Sequence, residues 1–373
     1  MDEPACRACR GRTGHFVLDL GEQPACDYFP RCDDPGPDPV YPLQMWLCSL
    51  CGLAQLVADA TVPEEPRGAE PAALVAQAAE AVDRVAAAGL LPDGHRVVEY
   101  GSPHGGSWLG LLAQRGLRPM HSGEPAEVVL DCFGLMHAAD QSAALAERTA
   151  RVAPGGVLLL QYHSLGTIIR CGQWNALRHG HYAYYSAPAL TAMLAVHGFG
   201  ALTAWRFELY GGTVLLAARR EADAAHGPDG PDGPMRSLLA EDARVGVRDP
   251  AVLGGLQWDA KARAKGLHDW LVAERSSGRT VLGYSAASRA VALLRWAGVD
   301  RSLMPAAVDA SPAKRGLRMP GTYIPVVGPA QLAARKPDAV LLLLTDLLQE
   351  VRAAYPEVEA RGGRWVDADA LRS

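Results

Sequence analysis

Four cysteines fall in two short knuckles, Cys6-Arg-Ala-Cys9 and Cys48-Ser-Leu-Cys51. Each knuckle presents two thiolates to one ion, and two knuckles close a tetrahedral site of the kind Zn²⁺ prefers. Four thiolates leave no open position, so the metal expected at Cys6, Cys9, Cys48 and Cys51 is structural. Cys26, Cys32, Cys132 and Cys171 lack such spacing and read as small apolar side chains. A second group lies at Arg178-His-Gly-His181, with Tyr184 close behind. Imidazoles titrate near neutral pH and move protons, so His179 and His181 with Tyr184 can deprotonate a substrate. Arg178 can grip an anionic group through two parallel hydrogen bonds. The third group is the turn Gly101-Ser-Pro-His-Gly-Gly106, a weak glycine-rich signal that gains meaning only from its neighbours.

Those neighbours are strands and helices in alternation. Arg96–Tyr100 reads as a buried strand running into the turn, then a helix over Trp108–Gln114, as in the first βα unit of a nucleotide-binding sheet. Strands are expected at 127–131 and 157–160, with Ala153-Pro-Gly-Gly156 as a turn and helices at 143–152 and 190–197. Phe199–Ala217 reads as an antiparallel pair around Gly211-Gly212. A Gly-Pro-Asp-rich loop covers 221–235. Beyond it a helix (260–275), strands at 280–283, 306–308 and 339–343, and helices at 290–297 and 347–355 repeat the alternation. Between the knuckles, 18–24 and 41–45 look like short strands ordered by the metal. Segment 62–70 is a Pro/Glu/Gly-rich linker before a helix at 72–90. Two parallel-sheet domains with a cleft between them follow, with ligands at the carboxyl ends of the strands. His137, His104 and His163 fall where that cleft lies.

Composition narrows the field. Of 373 residues 49% are hydrophobic and 21% charged, which excludes a mainly disordered chain. The 36 basic and 41 acidic side chains form no basic block, so no nucleic-acid footprint is expected. No apolar run reaches the length of a membrane span. The acidic start Met1-Asp2-Glu3 does not read as a signal peptide, so a cytoplasmic protein is expected. Only Lys261, Lys265, Lys314 and Lys336 are lysines; with abundant Gly and Ala this suggests an actinobacterium-like coding bias.

Several separated motifs resemble the sugar C-methyltransferases that act on nucleotide-linked deoxysugars. The knuckles with Leu20-Gly-Glu-Gln-Pro24, Tyr41-Pro-Leu43 and Gly52 are similar to their zinc module. Val98-Glu-Tyr-Gly-Ser102 resembles the turn that binds S-adenosylmethionine (SAM), Gly123-Glu124-Pro125-Ala126 a second SAM motif, and Leu135-Met-His137 the stretch after the fourth strand. His179-Gly-His181-Tyr182-x-Tyr184-Tyr185-Ser186 resembles the catalytic segment. Asp309-x-Ser-Pro-Ala-Lys-Arg-Gly316 and Met319-Pro-Gly-Thr-Tyr-Ile-Pro325 match the carboxyl-terminal signature. The resemblance implies an α/β chain: a zinc module (1–61), a linker and helix (62–95), and a class I methyltransferase-like, Rossmann-like domain (96–220). A linker loop (221–236) then leads to a second Rossmann-like domain (237–373). It makes His181 the base, with Tyr184 orienting it and His179 and Arg178 beside it. It puts Gly101, Ser102, His104, Glu124 and His137 in the SAM pocket or, if that pocket is changed, against the substrate.

Departures from the family shape the functional expectation. The family's Gly-Ser-Asn-Asp-Gly is Gly101-Ser-Pro-His-Gly105 here, and Pro103 removes a backbone donor. Gly123–Ala126 passes at once into the next strand, where members carry a helix, a strand and an adenine-contacting loop. The sugar-nucleotide turn Gly-Tyr-Gly-Ala becomes Gly283-Tyr-Ser-Ala286. The reading favoured by these changes is a tailoring enzyme of antibiotic-type secondary metabolism that does not use SAM. His181 would abstract a proton coupled to elimination or ring closure on a small-molecule intermediate. A SAM-dependent C-methyltransferase acting on a sugar nucleotide or related molecule is the alternative, and a non-catalytic partner subunit a further one. A homodimer or a pairing with a related subunit is expected, because the lost strand would leave apolar sheet surface to cover.

Overall fold

The computed structural model describes residues 4–61, 72–103, 105–120, 123–221, 232–344 and 348–372. Its first strands are β1 (Gly14–Pro24) and β2 (Val40–Cys48), longer than the short segments expected between the knuckles, and β3 (Ala54–Leu56) after the second knuckle. They pair antiparallel, Gly14 opposite Cys48 and Leu47 opposite Ala54. The reversal from β2 to β3 is the second knuckle, where Gly52 takes φ 78° and its N–H donates to the Cys48 carbonyl. A side chain at Gly52 would be strained and would crowd Arg248, so glycine is required there.

The central sheet is built from β4 (Arg96–Gly101), β5 (Arg118–Pro119), β6 (Ala126–Cys132), β7 (Val152–His163), β9 (Phe199–Phe207) and β10 (Thr213–Arg220). The strand between β7 and β9, β8 (Ala183–Tyr184), belongs elsewhere. The order is β5-β4-β6-β7-β10-β9, parallel through β7 and antiparallel beyond it. Runs such as Val128–Leu130 and Leu158–Leu160 are buried on both faces, as a covered parallel sheet demands. α1 (Ala72–Ala87) and α2 (Leu109–Gln114) bury Ala81, Val85, Trp108 and Leu112 against one face. α3 (Gln141–Ala150) contributes Leu145 to the other, and after α4 (Leu165–Arg170) so does α5 (Ala187–Val196) with Leu190 and Leu194.

One expectation changes here. Ala153–Gly156 is not a turn before a strand but lies inside β7, where the β6–β7 register slips between Ala126 and Val128. A bulge lets the pairing continue past Pro154 and the glycines. Among the described residues β5 forms one edge of the sheet, and both its residues are exposed.

The last unit opens with α6 (Gly233–Val245) and the long α7 (Pro250–Ser276), both starting earlier than the expected boundary or helix start. β11 (Val281–Tyr284), β12 (Ala307–Val308), β13 (Val326–Val327), β14 (Ala339–Leu342) and β15 (Arg364–Asp367) form an all-parallel sheet, ordered β13-β12-β11-β14-β15. One core joins this unit to the zinc module: Leu18, Leu43 and Met45 pack in the same cluster as Leu256 and Leu267 of α7, Leu293 and Leu341. No described helix is long and apolar enough to cross a membrane.

At the end of β6 the buried Asp131 carboxylate accepts from Arg148 Nε at 2.6 Å and from the Leu135 N–H at 2.9 Å, fixing the turn that carries His137. Breaking one side of a buried pair leaves an uncompensated charge and costs about 3–5 kcal/mol, whereas replacing both partners is close to neutral. Arg148→Leu should therefore lower unfolding free energy by that amount in urea titrations, and Asp131→Leu combined with Arg148→Leu should recover most of it.

Candidate functional site

The four knuckle sulfurs converge: the Sγ atoms of Cys6, Cys9, Cys48 and Cys51 lie within 4.8 Å of one another. Cys6 and Cys51 are 3.5 Å apart and Cys9 and Cys48 3.6 Å apart. The hydrogen bond from Cys51 lowers the Cys6 thiol to about 5, and the same contact pushes Cys51 up. Thiolates crowded this closely suit a cation that replaces their shared protons. Four sulfurs close the shell, so zinc held there has a structural role.

The module reaches the histidine segment through the backbone. β3 pairs with β8, Ala54 opposite Tyr184 and Gln55 opposite Ala183, which makes β8 the fourth strand of the zinc-module sheet. Arg7, inside the first knuckle, donates to the carbonyls of Leu56 at 3.0 Å and Ala139 at 3.0 Å and lies over the Tyr182 ring. Asp59 accepts from the Gly180 N–H at 2.5 Å, and the Tyr182 N–H donates to Met136 O at 2.7 Å.

A cavity of about 300 Å³ opens beside this segment, between the central sheet and the last domain. Its walls include Ser102, Gly105 and Gly106 of the glycine turn, His137, His163, Arg178, His181 and Tyr184, and from the last domain Ser285, Ser288 and Arg289. The His137 and His181 rings meet edge to face with centroids 4.6 Å apart. His137 Nδ1 lies 2.9 Å from Gly180 O, and a carbonyl only accepts, so this nitrogen carries a proton. Arg178 Nε donates to His181 Nε2 at 2.8 Å, and Nη1 donates to Ser288 Oγ at 2.6 Å across the cleft. His163 bonds Gln173 Oε1 at 2.9 Å, and Gln173 Nε2 donates to Tyr210 O, so the amide is fixed and the His163 Nε2 is the donor. Burial first, and then the Arg289 charge, lower His163 to about 3.

The residues anticipated from sequence do not all meet. Arg178, His181, His137 and Ser102 line the cavity. Tyr184 also does, and its hydroxyl accepts from the Arg178 N–H at 3.1 Å, so it props the backbone of Arg178. Burial pushes its phenol up. His179 is 1% exposed and turned into the zinc module, edge-on to Tyr41 and 3.4 Å from Pro42 O, away from the cavity. Gly101 pairs with Phe133 at the strand end, and the exposed Glu124 is not on the cavity wall. His104 lies outside the described residues. Ser288, Arg289, Gln161 and Asn175 line the cavity without having been anticipated; the altered Gly283–Ala286 turn, just before Ser288, was the only pointer.

The profile of a zinc binding domain matches residues 6–65, and that of the C-methyltransferase C-terminal domain matches residues 208–368. Residues 208–368 thus belong to the C-methyltransferase C-terminal domain family. C-methyltransferase NovU from Streptomyces niveus is 24% identical over 403 aligned residues, which span 97% of this chain and 94% of that protein. Among solved structures, the magnesium protoporphyrin IX methyltransferase ChlM from Synechocystis PCC 6803 with bound SAH covers 39% of this chain and 84% of its own at 14% identity and TM-score 0.30. The 1,6-didemethyltoxoflavin-N1-methyltransferase of Burkholderia thailandensis covers 45% and 95% at 15% identity and TM-score 0.26.

Two outcomes follow from this geometry. Metal analysis should give about one zinc per chain, absent from Cys48→Ser, and chelation should speed hydrogen exchange at the Leu56, Gly180 and Tyr182 amides. A histidine held below its unfolded pKa of about 6.5 stabilises the fold above that pH and loses the contribution as pH falls toward 3. Between pH 6.5 and 5 the loss is at most about 2 kcal/mol. Urea midpoints for His163→Gln should fall less over that interval than those of the parent protein.

Proposed function

We propose that this chain is a tailoring enzyme of C-methyltransferase type that acts on a carbon beside a carbonyl of a small molecule, with His181 as the base. The observation that carries the reading is the position of His181, on a cavity wall shared by the glycine turn after β4 and the turn after β11. An imidazole takes a proton efficiently near neutral pH, and the carbon left behind is nucleophilic. His137, fixed by Gly180 O and edge-on to His181, holds the base ring in place. The match to a C-methyltransferase over nearly the whole chain supports methyl transfer to that carbon.

SAM, when bound, supplies an electrophilic methyl group. The turn at Ser102, Gly105 and Gly106, with His137 nearby, is where this chain would hold it. The fit is incomplete. Glu99 already accepts from Ser107 Oγ and the Trp108 N–H at 2.6 Å each, Pro103 has no N–H, and among the described residues no strand lies beyond β5 to carry an adenine pocket. That last observation favours a second reading, in which the proton passes to His181 and the electron pair expels a leaving group. The products are a double bond or, by internal displacement, a closed ring.

Calorimetric titration of the zinc-loaded protein with SAM, alongside turnover of the pathway intermediate with methyl-labelled SAM, separates the two. Methyl transfer predicts a Kd at or below about 10 μM and labelled product. His181→Ala should cut turnover by about 10²–10⁴-fold in either case. Turnover that depends on His181 with no SAM binding selects the second reading, and full turnover by His181→Ala overturns both.

A further inference from the structure

Arg178 has an unusual set of partners. Its guanidinium donates to a neutral imidazole nitrogen and to a hydroxyl, and among the described residues it meets no carboxylate. Nη2, which shares one edge of the guanidinium with Nε, makes no hydrogen bond there. Other cations share the cavity. Arg289 and Lys314 line the same cavity, and Arg178 and Arg289 together depress His163. Of the acids on the wall, Asp309 accepts from the Ala286 and Ser311 N–H groups at 2.8 Å each, and Glu350 is exposed beyond Tyr284.

The bond from Arg178 also occupies His181 Nε2, the atom that a base needs. We propose that the substrate carries an oxyanion, a carboxylate or a phosphate, that seats on the Nε–Nη2 edge of Arg178 and draws it off His181, so that the base is released only when substrate is in place. This rests on His181 being the base. An ionised oxygen is a stronger acceptor for Nε–H than a neutral imidazole, and a guanidinium edge matches a two-oxygen group bidentately. Ser288, whose hydroxyl proton is not used in the bond from Arg178, donates to the same group from the opposite domain. Arg178 is thus a specificity-determining residue that competes with the base until the anion arrives.

The test is binding to the zinc-loaded full chain labelled with ¹⁵N-histidine, using malonate and inorganic phosphate as separate probes. Saturable binding of one probe should shift the His181 Nε2 resonance, and whichever probe succeeds assigns the anion. Arg178→Gln should weaken that probe about tenfold or more, and Ser288→Ala by a few-fold. His181→Ala should tighten it, because Arg178 is then free of its competitor. No saturation by either probe up to about 50 mM, unchanged affinity in Arg178→Gln, or no tightening in His181→Ala overturns the proposal. The readout is affinity, so its failure is distinct from full turnover by His181→Ala, which would remove the base assignment alone.

Discussion

The pairing of Ala54–Leu56 with Ala183–Tyr184 ties the metal to the chemistry. β8 has only two residues, and strands so short do not hold a position by themselves. It holds because β3 is clamped against β2, and β2 ends in the knuckle cysteine Cys48. Arg7 adds a second clamp, from inside the first knuckle to the Leu56 carbonyl and the Tyr182 ring. The loop from Arg178 to Tyr182, which carries His181, therefore inherits its position from four sulfurs that never face the cavity.

The opposite wall depends on the same module by another route. The zinc sheet and α7 share one apolar core with the last domain, and Arg318 pairs with Asp38 at 2.6 and 2.7 Å with both side chains almost fully buried. This pair lies at the edge of the 319–325 signature, where the Gly321 N–H also donates to Asp38 at 2.6 Å, so the signature is a socket for the zinc module. The module thus sets the spacing of both walls, and Arg178 reaches Ser288 across a gap of fixed width.

Much of this was legible in the residues. Doubled knuckles can hardly be anything but a four-thiolate site, and runs such as Val-Val-Leu and Leu-Leu-Leu specify buried parallel strands. The missing strand was visible in how soon Gly123–Ala126 meets β6. What stayed hidden depended on contacts between segments distant in sequence. Nothing local marks Ala183–Tyr184 as a partner of β3, so His179 and His181, two residues apart, looked equivalent. In the structure the segment between them turns, sending one ring into the zinc module and the other to the cavity. Ala153–Gly156 carried strong turn chemistry, and the neighbouring strand overrode it.

The sheet edge at Arg118–Pro119 has a consequence of its own. A freshly exposed strand usually invites another chain to dock on it, but Pro119 offers no N–H and the pair is too short to template a partner. This margin of the sheet is therefore quiet, and the fold tolerates it open.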